Sequence, residues 1–162
     1  MNRVAKFEKV SQNQWEKDGN GVLYTNIKLP KRATSGSAGY DFYAPFDFEL
    51  APGETIKLPT GVRAQITDGW FLMCAPRSGL GFKYRVQLDN TVGIIDSDYY
   101  KSDNEGHIFA KITNDGREGK TVRIKTGEAF MQGIFLPYGI TEDDETDGVR
   151  NGGFGSTDRR DE

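Results

Sequence analysis

Residues 90–99 are the stretch of the sequence best suited to acid–base chemistry. They form an apolar segment that ends in two acids, Asp96 and Asp98, with Tyr99 directly after them. A carboxylate at the end of a strand, beside an apolar wall, can hold a water molecule and deprotonate it. Asp96 is therefore a candidate general base, and an ordinary turn that carries both acids is the alternative interpretation.

A glycine-containing turn at residues 75–81 is a candidate site for an anion. Arg77, Ser78 and Gly79 follow an apolar run there. A guanidinium, a hydroxyl and free backbone N–H groups are all suitable donors to phosphate. Turns of this composition are also common without a ligand, so a simple turn is the alternative.

The glycine-rich segment 150–157 offers a second set of anion donors. Its glycines allow backbone N–H groups to approach an anion closely, and Arg150 adds a guanidinium. Phe154 stands between glycines, where it has no strand partner to pack on, and its ring could stack on a nucleobase. A disordered polar tail is the alternative interpretation.

A single acid, Asp41, interrupts the aromatic run at residues 37–44. Burying an ion costs several kcal/mol unless it is hydrogen-bonded or lies near a cation. Structural pairing of Asp41 and an indirect contact to a metal are both compatible with this pattern.

The elements that must position these residues are short strands separated by turns. Alternating or apolar runs recur between turn signals such as Pro52-Gly53 and Asp68-Gly69, which is typical of an all-β sandwich, jelly roll or barrel. The predicted strands are 22–29, 40–48, 55–58, 62–66, 70–75, 86–88, 92–95, 107–113, 121–125 and 130–138. At most one short helix is expected, near residues 78–83.

Length and composition narrow the class of protein. A chain of 162 residues predicts one domain, and a net charge of −3 argues against a nucleic-acid partner. No apolar run reaches the roughly 20 residues that span a bilayer, which argues against a membrane partner. The one cysteine, Cys74, is expected in the core of a reduced, cytoplasmic protein. An apolar content of only 36% suggests that further surface is buried against other subunits.

Five motifs in order resemble those of the trimeric dUTP diphosphatase (dUTPase) family. They are AGYDFYA at 38–44, PRSGLG at 76–81, GIIDSDY at 93–99, GEAFMQGIF at 127–135 and RNGGFGST at 150–157. The leader IKLPKRATSGS at 27–37 is also similar. The resemblance implies a β jelly-roll that assembles as a homotrimer with sites at the subunit interfaces. It also implies hydrolysis of dUTP to dUMP and pyrophosphate with Mg²⁺ on the triphosphate.

A shift in composition near residue 140, together with the position of the last motif, predicts a division of the chain. Residues 1–140 would form the jelly-roll domain, residues 141–149 an acidic linker, and residues 150–162 a C-terminal arm that closes over the nucleotide. The linker expectation agrees with the five acids that the sequence places between residues 142 and 147.

The family's functional residues carry over to named positions of this sequence. Asp96 matches the aspartate that activates the attacking water, and Tyr99 matches the tyrosine that packs under the sugar and disfavours a ribose. The expected uracil-reading hairpin includes Asn90, Gly93 and Ile95. The expected phosphate contacts come from Arg77, Ser78, Gly79 and Gln132. Asp41 would support the metal indirectly, through water. The residues expected to close over the nucleotide are Arg150, Phe154, Gly155, Ser156 and Thr157.

Three departures from the family pattern concern the expected site. The loop 100–105 adds about five residues between Tyr99 and Gly106, Ala129 replaces the common arginine of the fourth motif, and the arm motif is one residue shorter. His107 follows the extra loop, and a surface or strand position is expected for it rather than a role in catalysis. The alternatives to a dUTPase are a dCTP deaminase-related enzyme and a nucleotide-sensing regulatory jelly-roll.

Overall fold

The alternating sequence folds into short antiparallel strands in the computed structural model, which describes residues 1–150 and 152–153. The strands are β1 Ala5–Lys9, β2 Lys31–Arg32, β3 Tyr40–Tyr43, β4 Phe48–Leu50, β5 Thr55–Pro59, β6 Val62–Ile66, β7 Trp70–Pro76, β8 Val86–Leu88, β9 Gly93–Ile95, β10 Phe109–Asn114, β11 Val122–Ile124 and β12 Ala129–Pro137. The helices are α1 Gln12–Asp18 and α2 Ser78–Tyr84, and 3-10 turns cover Tyr24–Asn26 and Ser97–Lys101. The predicted all-β class is confirmed.

Strands distant in sequence pair with one another, so the chain crosses repeatedly between sheets. The largest sheet has the order β2-β3-β12-β7-β9, a second has the order β5-β10-β8, and the pairs β1-β6 and β11-β4 complete the fold. Each strand pair is antiparallel. The non-local pairing agrees with the jelly-roll expectation, in which successive strands alternate between sheets.

The core lies between these sheets and is built from side chains at alternate strand positions. Its largest fully buried members include Trp15, Phe42, Leu58, Leu72 and Phe130. Cys74 lies among them, and burial raises the pKa of its thiol to about 12. The expected core position of Cys74 is therefore confirmed, and its thiol stays protonated and unreactive at neutral pH.

The close approach of β3, β12 and β7 depends on Gly133 at the centre of β12. A Cβ atom at this position would lie 2.8 Å from Cδ1 of Leu72 and 3.0 Å from the ring of Phe42. Both neighbours are fully buried, so neither can move aside easily. Glycine at this position thus allows β3, β12 and β7 to pack closely against one another.

Two short helices are present where the sequence predicts at most one. Helix α2 matches the helical turn expected near residues 78–83, whereas α1 was not predicted. Helix α1 begins after Ser11, whose Oγ accepts a hydrogen bond from the backbone N–H of Gln14. Trp15 is its one large buried apolar side chain, so no helical periodicity is visible in the sequence. Neither helix is long or apolar enough to cross a membrane, among the residues that the structure describes.

The strand predicted at 22–29 is also wrong, because this segment forms a 3-10 turn. Its side chains are fixed individually rather than by a ladder: Tyr24 Oη donates to the Val10 carbonyl at 2.7 Å, and Asn26 Nδ2 donates to the Pro45 carbonyl at 3.1 Å. Side-chain anchoring of this kind leaves no signal in the pattern of apolar residues.

The extra loop 100–105 closes back on its own start. Gly106 has a φ of +70°, and a Cβ there would lie 2.6 Å from the Tyr100 Cα and 2.7 Å from the Tyr99 carbonyl oxygen. Only glycine combines the left-handed conformation with this contact between backbone atoms. The insertion therefore leaves and re-enters the fold at nearly the same place.

Replacing Gly106 by alanine should strongly destabilise the fold. We expect Gly106→Ala to lower the free energy of unfolding by more than about 3 kcal/mol, because backbone strain and a steric overlap both oppose it. Gly119→Ala is the matched control, since Gly119 has the same φ of +70° but has open space around it. The control should cost only about 1–2 kcal/mol. Urea unfolding of both variants measures the difference, and equal losses would contradict the closed-loop description.

Candidate active site

The predicted phosphate-side residues gather in one cleft with a volume of about 750 Å³. The cleft lies where β3, β12 and β7 meet the start of α2. Its lining includes Asp41, Arg77, Ser78, Gly79 and Gln132. Motifs that are far apart in sequence thus contribute to one surface.

Strand register explains why these side chains meet. Asp41 on β3 lies opposite Gln132 on β12, and Gln132 lies opposite Ala75 on β7. The Gln132 side chain crosses to the end of β7, where its Nε2 donates to the Pro76 carbonyl at 3.2 Å. The next residues of the chain, from Arg77 onwards, turn into α2. The pairing therefore places an acid, an amide and the donors of the turn side by side.

Asp41 forms an ion pair within this cleft. Its Oδ1 lies 3.0 Å from Nε of Arg77, and the arginine side chain is 44% exposed. Structural pairing of Asp41, one of the two interpretations that the sequence left open, is present in the structure. Because the pair is partly solvated, it contributes little stability and can rearrange when another anion enters.

The residues of this cleft are compatible with a magnesium ion that is held mainly by substrate phosphates and water. Among the described residues, no group of three or more His, Cys, Asp or Glu side chains is arranged to hold a metal ion. Mg²⁺ is commonly bound by one or two carboxylates, water and substrate phosphates. Asp41 and Glu128 supply two carboxylates to the lining of the cleft that also holds the anion donors, and Ala129 adds no charge there.

The predicted base-side residues line a second, smaller cleft of about 230 Å³. Asn90, Gly93, Ile95, Asp96 and Tyr99 all contribute to it. Strand β9, which carries Gly93 and Ile95, is the terminal strand of the five-stranded sheet and pairs with β7 on one side. An edge strand offers a row of backbone N–H and C=O groups to a ligand.

Arg150 also belongs to the second cleft. Its Nη2 donates to Oδ2 of Asp96 at 2.5 Å and its Nε donates to Oδ1 of Asp98 at 2.7 Å. Gly153 follows closely against the Tyr99 ring, where an added Cβ would lie 2.7 Å from Cε2. The start of the predicted arm therefore contacts Asp96 and Tyr99 within the same chain. The predicted arm residues Phe154, Gly155, Ser156 and Thr157 lie outside the described residues.

Asp96 of the second cleft and Ser78 of the first lie at opposite ends of β7. Because Leu72 pairs with Ile95 in an antiparallel register, Asp96 lies level with the start of β7, whereas Ser78 follows its end. The strand between these levels spans roughly 17 Å at the rise of an extended chain. One copy of the chain thus does not bring Asp96 to its own phosphate-side donors.

Comparisons with known proteins agree with the motifs. A dUTPase family model matches residues 25–158. The chain belongs to the dUTPase family. It is 43% identical over 134 residues to the deoxyuridine 5'-triphosphate nucleotidohydrolase of Lactococcus lactis, with 81% of this chain and 88% of that protein covered. It is 41% identical over 140 residues to the Escherichia coli O9:H4 protein of the same name, with 82% and 88% covered.

Solved dUTPase structures share the fold. The dUTPase of Streptococcus mutans matches with a TM-score of 0.67 at 35% identity, over 84% of this chain and 98% of that one. A mutant dUTPase of Staphylococcus aureus phage phi11, described as coordinating a structural Mg(II) ion, matches with a TM-score of 0.66 at 19% identity, over 90% and 98%. The jelly-roll prediction is thereby confirmed. Residues 1–24 precede the part of the chain that the dUTPase family model matches.

Tyr99 is held by its hydroxyl in this dUTPase. The side chain is 5% exposed; Oη donates to the His107 carbonyl at 2.7 Å and accepts from Asn104 Nδ2 at 2.9 Å. Burial raises the pKa of the Tyr99 phenol above its ordinary value of 10, so the group is neutral at physiological pH. Because the neutral Tyr99 hydroxyl both donates and accepts a hydrogen bond, the ring forms a fixed wall of the cleft.

His107 is fully buried, and the expected surface or strand position is wrong. Its Nε2 accepts a hydrogen bond from the Gly61 backbone at 2.8 Å, so the proton is on Nδ1, which lies 2.6 Å from Oδ2 of Asp18. Helix α1, which supplies Asp18, was not predicted. No local pattern in the sequence connects these two residues, because 89 positions separate them.

The buried His107 should make folding stability fall on acidification. Burial lowers the pKa of its imidazole below the ordinary 6.5, even though Asp18 acts in the opposite direction. His107 therefore binds a proton more readily in the unfolded chain than in the folded chain. The free energy of unfolding decreases as the pH falls below about 6.5. The slope from this one group is at most about 1.4 kcal/mol per pH unit.

Urea unfolding of the wild type and of His107→Gln between about pH 5 and pH 8 measures this contribution. The wild type should lose more stability than the variant as the pH is lowered, because the variant has no imidazole to protonate. A wild type that gains stability relative to the variant on acidification would contradict the lowered pKa.

Proposed function

We propose that this chain hydrolyses dUTP to dUMP and pyrophosphate, which limits uracil incorporation into DNA and supplies dUMP for dTMP synthesis. The observation that carries the proposal is the composition of the second cleft: an exposed-edge strand, a fixed tyrosine ring and a carboxylate, Asp96, line one small cavity. The names of the relatives describe the same reaction for those proteins.

Uracil is recognised by the backbone of β9 and the turn before it. The base carries an N–H donor between two carbonyl acceptors, and the edge of a strand alternates acceptors and donors in a similar way. Asn90, Gly93 and Ile95 supply this surface. Cytosine presents a mismatched set of donors and acceptors, and a 5-methyl group has no room in a tight turn. The turn is held by the hydrogen bond from the Thr91 N–H to the Leu88 carbonyl at 2.8 Å.

The sugar and the reacting water lie between Tyr99 and Asp96. The tyrosine ring disfavours a ribose 2′-hydroxyl, and the Asp96 carboxylate orients a water molecule and accepts its proton. The water oxygen forms a bond to the α-phosphorus while the bond to the bridging oxygen breaks, and pyrophosphate leaves with that oxygen's electron pair. A positioned base of this kind contributes roughly 10²–10⁴-fold to the rate.

The phosphates are bound by the donors of the larger cleft. Arg77, Ser78, Gly79 and Gln132 supply a guanidinium, a hydroxyl, a backbone N–H and an amide. Asp41 would hold the triphosphate's Mg²⁺ indirectly, through water. When bound, Mg²⁺ neutralises charge on the phosphate oxygens.

The distance of Asp96 from Arg77, Ser78 and Gly79 along β7 supports a site shared by several copies, and we propose a homotrimer. Asp96 of one copy would face the phosphate donors of another. Exposed apolar side chains offer surface for such contacts: Phe82 on α2 is 92% exposed and Ile94 on β9 is 50% exposed. The arm then closes a complete site, with Arg150, Phe154, Gly155, Ser156 and Thr157 contacting the nucleotide.

The remaining parts of the proposal follow from the sequence. Residues 1–140 form the catalytic jelly-roll, residues 141–149 a linker and residues 150–162 the arm. The ligand is a single nucleotide rather than a nucleic acid or a membrane, and the protein is cytoplasmic. Neither a deaminase nor a purely regulatory jelly-roll is favoured by a specific observation in the two clefts.

Pyrophosphate release from four nucleotides tests the proposed activity. With Mg²⁺, dUTP should be hydrolysed far faster than dTTP, dCTP or UTP, and no ammonia should be released from dCTP. Asp96→Asn should lose roughly 10²–10⁴-fold in kcat while it still binds the nucleotide, because only the proton acceptor is removed. Asp103→Ala, which changes an exposed acid of the nearby loop, is the control. Equal rates on all four nucleotides, or full activity of Asp96→Asn, would refute the assignment.

Mixing two inactive variants tests whether the site is shared. Asp96→Asn and Ser78→Ala each remove one side of the site, so each homo-oligomer should have little activity. Equal mixtures that are refolded together should regain about one quarter of the wild-type activity. Each site takes Asp96 from one copy and Ser78 from another, and each of these residues is intact in about half of the copies. Mixing the proteins without co-refolding is the control. A mixture that never exceeds its components would show that one chain supplies both residues.

A further inference from the structure

We infer that Asn104, in the extra loop 100–105, is a positioning residue that holds Tyr99 and thereby sets the preference for deoxyribose over ribose. The inference rests on the proposed role of Tyr99 at the sugar. It gives the insertion a function in substrate specificity. This function needs no direct contact between the loop and the nucleotide, because Asn104 acts through Tyr99.

The first step is that the orientation of the Asn104 amide is fixed. Its Oδ1 accepts a hydrogen bond from the Gly106 backbone N–H at 3.1 Å, so Nδ2 points the other way and donates to Tyr99 Oη at 2.9 Å. The Tyr99 hydroxyl in turn donates a hydrogen bond to the His107 carbonyl at 2.7 Å. Two hydrogen bonds, one to Asn104 within the loop and one to His107 just after it, therefore hold a single oxygen atom.

The second step is that the hydroxyl position determines the ring position. Tyr99 lines the cleft that contains Asp96, and Gly153 lies directly against its ring. A phenol with its oxygen fixed at one end and its Cβ fixed at the other cannot tilt. Rejecting a 2′-hydroxyl depends on a rigid wall, since a ring that yields by a fraction of an ångström accommodates the extra oxygen.

The third step is that the loop itself is anchored to residues outside the matched family region. Glu105 accepts hydrogen bonds from the Ser11 N–H at 3.1 Å and from its Oγ at 2.6 Å. Tyr100 Oη donates to Glu8 at 2.5 Å. Both partners, Ser11 and Glu8, belong to residues 1–24. The N-terminal segment thus holds the loop from one side.

Arg63 on β6 holds the loop from within the jelly-roll. Its Nη2 donates to the Tyr100 carbonyl at 2.8 Å, and its guanidinium carbon lies 3.6 Å from the centre of the Tyr100 ring. Its Nη1 lies 3.7 Å from Oε1 of Glu105. These contacts hold both ends of the loop, so Asn104 is presented to Tyr99 from a fixed frame.

The fourth step is that the His107 carbonyl, the second hydrogen-bond partner of Tyr99 Oη, is also fixed in place. The His107 ring is held between the Gly61 N–H and the Asp18 carboxylate, and it is fully buried. The His107 backbone carbonyl, which accepts the hydrogen bond from Tyr99 Oη, therefore cannot move with the Tyr99 ring. Loss of Asn104 alone would leave Tyr99 with one anchor, about which the ring can pivot.

The test compares kcat/KM for dUTP and for UTP in the full-length protein. Asn104→Ala should lower the dUTP-to-UTP ratio by roughly 3- to 10-fold, the effect of one lost hydrogen bond, mainly by improving UTP. The control Asp103→Ala changes the neighbouring exposed residue of the same loop and should leave the ratio unchanged. An unchanged ratio in Asn104→Ala, or an equal loss for both nucleotides, would overturn the inference.

Tyr99→Phe keeps the test valid if Asn104→Ala fails to fold. It removes Oη but keeps the ring and the loop, and it should lower the ratio at least as much. In the double variant, Asn104→Ala should add no further loss, because its effect passes through an oxygen that is no longer there. An additive loss, or a Tyr99→Phe ratio equal to wild type, would overturn the inference. A wild type that does not distinguish dUTP from UTP would instead refute the proposed function.

Discussion

The register of β7 is the constraint on which both clefts depend. This strand pairs with β12 on one side and with β9 on the other, and it fixes where each partner begins and ends. Pairing with β12 brings Gln132 to the end that leads into α2. Pairing with β9 brings Asp96 to the opposite end. A slip by one residue would turn the side chains of the moving strand to the other face, so the packing of Leu72 and Cys74 in the core also protects the site geometry.

In both clefts an arginine forms an ion pair with a carboxylate of the same chain. Each arginine expected to meet phosphate already contacts a carboxylate: Arg77 contacts Asp41, and Arg150 contacts Asp96 and Asp98. These pairs are partly solvated, so separating them costs little. A polyphosphate with several negative charges can compete for the same guanidinium groups, which releases the carboxylates for a metal or for water. A chain with a net charge of −3 can thus concentrate cationic donors locally without an overall basic surface.

The sequence could predict those parts of the molecule whose signals are local. Short strands bounded by turns, the helical turn at α2 and the buried Cys74 follow from alternation, turn residues and side-chain type. Helix α1 could not be predicted in this way, because its stability comes from Trp15 reaching the core and from the Ser11 cap rather than from a repeated apolar face. The ordered motifs indicated the candidate site residues, but their division between two distant clefts appears only when the register of β7 is known. The His107–Asp18 contact joins an unpredicted helix to the residue that follows the extra loop, across 89 positions of sequence.

The extra loop is an insertion whose conformation is held by contacts to the rest of the fold. Its entry and exit meet at Gly106, so the length of the loop imposes no strain on the strands around it. The polar groups that a longer loop brings are satisfied within the fold: Glu105 by Ser11, the Tyr100 hydroxyl by Glu8, and the Asn104 amide by Tyr99 and Gly106. Part of the glycine excess in the composition therefore serves close backbone contact at one defined point. Because the anchors come from the N-terminal segment and from β6, the position of the loop beside Tyr99 depends on how these two elements pack.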